Sequence, residues 1–104
     1  MTRAETLKAF IANKPQDPFP RYALAMEYKN TGQLAEARAE FEILMRDHAD
    51  YVATYLHAGG TLAALGDRPA ARAAFTRGIE VATRRGDAHA RGELEGALGS
   101  LPEG

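Results

Sequence analysis

Along the chain, apolar residues recur every three or four positions in segment after segment, and nearly every break between segments carries Asp, Gly or Pro. That rhythm is helical. Thr2 and Glu5 have the spacing of a capping box, and the stripe of Leu7, Phe10 and Ile11 that follows must stop before Pro15. Asp17 followed by Pro18 reads as an N-cap with proline in the first turn, opening a second helix that runs to about Asn30 and ends at Gly32. From Gln33, the set Leu34, Ala37, Phe41, Leu44 and Met45 marks one face of a third helix, and Asp50 is placed to cap a fourth that closes at Gly66. Asp67 and Pro69 start a fifth, with Ala71, Phe75, Gly78, Ile79 and Ala82 turned inward. Gly86 and Asp87 precede a last helix carrying Ala90, Leu94, Leu98 and Leu101. No run alternates with period two over a strand's length, so the expected class is all-α.

The segments also repeat. "GQLAEARAEF" from Gly32 to Phe41 returns thirty-four residues later as "GDRPAARAAF" from Gly66 to Phe75, and upstream "RYALAMEYKNTG" is matched by "YLHAGGTLAALG". Small residues at Ala25, Gly59, Ala37 and Ala71 would let helix backbones approach closely, with Phe41 and Phe75 filling the space between successive pairs. The period and these residues resemble the tetratricopeptide repeat family, in particular a small, bacterial-type protein of two repeats. The family's Trp-x-x-Leu-Gly-x-x-Tyr slots hold Arg21, Leu24, Ala25 and Tyr28, then Tyr55, Ala58, Gly59 and Leu62. The Trp is replaced in both copies, and the proline that ends each repeat is Ala49 or Thr83. The resemblance implies one domain over 1–104, a fragment of right-handed α-solenoid. It divides into an N-terminal helix (1–14), repeats at 18–49 and 50–85, and a C-terminal capping helix (87–101). In strict register the last helix puts Gly92 and Gly96 where Ala58 and Leu62 stand, so that with Gly99 they form a glycine-lined face lacking its partner helix.

Composition narrows the chemistry. The chain has 104 residues, a net charge of -1 and 45% hydrophobic against 26% charged residues, which suits a folded domain and argues against one held to nucleic acid by excess Lys and Arg. The fifth helix is nonetheless basic, with Arg68, Arg72, Arg77, Arg84 and Arg85, and Arg68 and Arg72 with Gly92 and Gly96 make a candidate second surface. There is no cysteine, no run of roughly 18 apolar residues and no secretory leader in "MTRAETLKAFIANK"; the expected setting is cytoplasmic, without membrane contact. His48, His57 and His89 fall in separate helices, none with a second His one turn away, so no metal site is expected. Gly59 and Gly60 lack the remainder of a phosphate loop. Glu36, Glu40 and Glu42 lie among Arg38, Arg46 and Asp47 on a solvated face. The sequence predicts neither an enzyme nor a cofactor.

The remaining signal is a second apolar face on the second helix. Phe19, Tyr22, Ala23, Met26 and Asn30 recur at three- and four-residue spacing away from Leu24, Ala25 and Tyr28, and the period pairs them with Ala53, Leu56, His57, Gly60 and Ala64. The resemblance implies that these first helices line a concave groove, which would suit an extended peptide or an amphipathic helix. The Lys and Asn clamp with which some members grip acidic chaperone tails is missing, since Tyr22, Met26 and His57 stand in its place. The leading helix could fold Leu7, Phe10 and Ile11 over Phe19, Tyr22 and Met26, or cover Phe19 alone. The expected function is a non-catalytic protein-protein interaction module or adaptor. The alternative is a self-associating structural unit, a homodimer closed through the end faces of the array.

Overall fold

Three turns of one kind set the architecture. Gly32, Gly66 and Gly86 have φ of +79°, +86° and +70°, the left-handed region where a Cβ is disfavoured. The residue after each glycine donates its N–H back to a carbonyl five positions earlier: Gln33 to Tyr28 at 2.8 Å, Asp67 to Leu62 and Asp87 to Ala82 at 2.9 Å. These bonds close the helix ends in the six-to-one pattern of a Schellman turn. Asp67 and Asp87 then accept from the N–H groups of Ala70 and Ala90, each ending one helix and opening the next. The computed structural model describes residues 1–103 and holds six α-helices: α1 (Arg3–Asn13), α2 (Pro18–Asn30), α3 (Leu34–Asp47), α4 (Ala53–Ala64), α5 (Arg68–Arg84) and α6 (Ala88–Ser100). The capping box of Thr2 and Glu5 and the Asp17 cap are both formed.

Each helix packs on the next in the chain. In addition α4 touches both α2 and α6, whereas α1, α3 and α5 make no packing contact with one another among the described residues. The even-numbered helices therefore converge on one side and the odd-numbered ones splay on the other. The molecule is a curved two-layer slab of 41 × 30 × 19 Å, its thinnest dimension close to two helix diameters. Leu7, Phe41 and Phe75, spaced by the sequence period, are all buried, which makes α1 an outer-layer helix like α3 and α5. Phe10 shares the period with the buried Leu44 and Gly78 but stays 55% exposed.

Close backbone approach carries the α4–α5–α6 junction. A Cβ built on Gly59 would lie within 2.2 Å of the Phe75 ring, and one on Gly78 within 2.5 Å of the Tyr55 Cβ and 3.0 Å of Leu94. The Tyr55 ring is fully buried there, with its hydroxyl donating to the Ala49 carbonyl at 2.6 Å and the Arg77 guanidinium 5.9 Å from its centroid.

Three expectations need correction. Asp50 does not cap α4: the N-cap is Val52, with no side-chain hydrogen bond, and Asp50 instead pairs with Arg84 at 2.8 Å. The leading helix does not cover Phe19, which is 60% exposed; α1 packs on α2 through the buried Leu7 from the outer layer. The last helix also leaves the strict register, since Ala58 and Leu62 are buried but Gly92 and Gly96 are exposed, and Leu94 takes the buried position. The cause is α5, three residues longer than α3 (17 against 14), with a connection cut to 85–87 where the earlier one spans 48–52. The glycine-lined face exists, on the side of α6 opposite Leu94, with open space above Gly92, Gly96 and Gly99.

These surroundings predict opposite signs for one substitution. Gly78→Ala should destabilise by about 1–3 kcal/mol through overpacking, despite the better helix propensity of Ala. Gly92→Ala should stabilise by about 0.5–1 kcal/mol, since nothing opposes the added methyl. Urea unfolding of both variants measures the pair; a stabilised Gly78→Ala would refute the close-approach account.

Candidate functional site: the concave face

The inner helices bring their concave sides together around one hollow. Its volume is about 240 Å³, and it is walled by Tyr22 of α2, by Val52, Ala53, Leu56 and His57 at the start of α4, and by Ala90, Glu93 and Leu94 of α6. The Tyr22 ring stands edge-on to Tyr51 at 5.6 Å and to His57 at 6.1 Å between centroids, so aromatic contacts hold α2 against the α3–α4 connection and α4. Lys29 Nζ reaches His57 Nδ1 at 3.3 Å. Burial pushes the phenols of Tyr22 and Tyr51 above their usual range, aided by Tyr51 in the first case and Asp17 in the second. Burial also holds His57 below its usual value near 6.5, reinforced by the Lys29 charge and opposed by Glu93.

Of the residues expected in the groove, Tyr22, Ala53, Leu56 and His57 meet in this hollow. Met26 is half-buried, packed with Tyr22 against the core formed by Ala25, Ala37 and Phe41. Ala23 and Gly60 are half-buried, the latter with open space where a Cβ would stand, while Phe19, Asn30 and Ala64 are exposed. None of these six lines the hollow. Sequence reasoning missed Val52, Ala90, Glu93 and Leu94 as walls, and Lys29 as the partner of His57.

The candidate second surface does not come together. Arg72 donates to the Pro102 carbonyl at 3.4 Å and tethers the C-terminal segment, whereas Gly92 and Gly96 stand on the outer side of α6 and Arg68 is exposed at the start of α5. The rest of the basic helix is largely engaged within the fold: Arg77 donates to the Met45 carbonyl at 3.2 Å and Arg84 pairs with Asp50. Arg38 of α3 in turn reaches Asp67 at 3.1 Å. Among the described residues, no group of three or more His, Asp or Glu is placed to hold a metal ion, and no helix is long and apolar enough to cross a membrane.

No known family's sequence profile matches the chain, and no curated protein matches it. Solved structures do. The crystal structure of a tetratricopeptide repeat domain protein from Salinibacter ruber is 38% identical over 82% of this chain and 94% of its own, with a TM-score of 0.78. The chain belongs to the tetratricopeptide repeat family. The solution structure of a tetratricopeptide repeat domain protein from Salinibacter ruber covers 85% of this chain and 89% of its own at 38% identity, with a TM-score of 0.79. A Bordetella parapertussis protein is 28% identical over 97% of this chain and 88% of its own, with a TM-score of 0.81. In tetratricopeptide terms α2–α3 and α4–α5 are the helix pairs, and α6 is a further first helix that carries the concave layer past the second pair.

The environment of His57 gives the fold a pH dependence. Its folded value is depressed, so its contribution to stability is complete above about pH 6.5 and is lost as pH falls through the folded value, the unfolded chain taking the proton first. Urea midpoints should therefore drop between about pH 7 and about pH 5, by more in the wild type than in His57→Gln. Equal drops would remove His57 from the account.

Proposed function

We propose that this tetratricopeptide protein is a non-catalytic adaptor, built of repeats at 18–49 and 50–85, that holds a peptide or amphipathic helix of another protein on its concave face. The observation that carries the reading is the hollow where α2, α4 and α6 meet. Its lining is apolar and polar in nearly equal measure, with Tyr22, Val52, Leu56 and Leu94 beside His57 and Glu93, and its volume of about 240 Å³ suits an amphipathic side chain of the ligand. Tetratricopeptide domains are protein-interaction folds in general, which supports the class of function. A cytoplasmic setting is part of the proposal and rests on the cysteine-free composition. A self-associating unit is the second reading, favoured by Phe10, exposed at a position where its periodic counterparts are buried.

The test is capture from native lysate on immobilised wild type and on a Tyr22→Glu, His57→Glu variant shown by circular dichroism to be folded. A protein retained by the wild type alone is the expected result. Identical captures would move the function off the groove, and a mass that rises with concentration while no partner is retained would favour self-association.

A further inference from the structure

His57 has one polar partner, Lys29 of α2, and shares the hollow with Glu93 of α6. Lys29 Nζ lies 3.3 Å from His57 Nδ1. An ammonium only donates, so Nδ1 accepts and the ring proton sits on Nε2. This bond exists for the neutral imidazole alone, because the imidazolium carries a proton on both nitrogens and has no acceptor. The charged and titratable groups facing His57 are Lys29 and Tyr22 from α2 and Glu93 from α6. Glu93 Oε1 is 3.2 Å from His89 Nε2, and Tyr51 stands edge-on behind Tyr22.

We infer that His57 is a proton-operated latch of the concave face. Neutral, it ties Lys29 of α2 to α4; protonated, it releases the Lys29 ammonium, and Glu93 across the hollow balances its charge instead. Burial and the Lys29 charge favour the closed form and Glu93 favours the open one. The switch moves a polar contact from the α2 wall to the α6 wall without a change of fold. It rests on the adaptor reading only in its consequence, that a ligand would meet a different surface on the two sides of the transition. Its test needs no ligand, so a failed capture and a failed latch are separate results.

The measurement is a pH titration of the intact chain by NMR, following the His57 ring nitrogens and the Lys29 ε-methylene. The expected result is an Nε2–H tautomer at neutral pH, a His57 midpoint below 6.5, and Lys29 signals that shift with the same midpoint. Lys29→Met should raise the midpoint and Glu93→Gln should lower it. His57→Gln keeps an acceptor but cannot titrate, and should abolish the matching response of Lys29. An Nδ1–H tautomer, a midpoint unmoved in Lys29→Met, or a Lys29 response that survives in His57→Gln would each overturn the latch.

Discussion

A left-handed glycine followed at once by a helix-capping residue is the constraint on which the rest of the molecule depends. At Gly66 and Gly86 the next residue is an Asp that closes one helix with its backbone and opens the following one with its side chain. The connection has no slack, so the angle between the helices it joins is set locally. At Gly32 the same backbone turn occurs without the side-chain cap, since Gln33 makes no capping bond. The backbone geometry, more than the Asp carboxylate, is thus the shared element.

Curvature follows from what this turn juxtaposes. The inner helices touch across the array and the outer ones do not, which leaves a face bent toward α2, α4 and α6. Small residues at Gly59 and Gly78 permit the approach, while large ones at Phe75, Tyr55 and Leu94 occupy the room left. Arginines stitch the array together from outside: Arg21 to Glu40 within the first repeat, Arg38 to Asp67 between the first and second, and Arg84 to Asp50 at the two ends of the second. Of the five arginines from Arg68 to Arg85, Arg72, Arg77 and Arg84 make contacts within the fold. The exposed Arg84–Asp50 pair contributes little, roughly 0–1 kcal/mol, whereas Arg21–Glu40 is part-buried.

Much of this was legible in the chain. Capping residues, the thirty-four-residue period and the small residues at helix crossings are local or periodic signals, and they located six helices and their pairing. Tyr22, Leu56 and His57 were legible as groove residues for the same reason, because their spacing puts them on a face apart from the core. What periodicity could not show was the phase change at α6. A longer α5 and a shorter connection rotate the last helix, so Glu93 and Ala90 reach the hollow while the glycines face away. Asp50 failed as a cap because helix α4 begins three residues later and Arg84, distant in sequence, offered it a charge. Lys29 escaped notice for a different reason: it lies seven residues after Tyr22 and three after Met26, at the edge of the same face, but its neighbour Asn30 reads as the polar member of that face.

The phase change also says where such an array can grow. Residues 32–65 comprise one left-handed turn, one outer helix and one inner helix, and they are bounded by turns of near-identical φ at Gly32 and Gly66. A duplicate of that block inserted at Gly66 meets the same geometry at both of its joints and lengthens the concave face by one inner helix. A block added after α6 meets a rotated neighbour. An insertion in the middle is therefore compatible with both ends of the architecture as they stand.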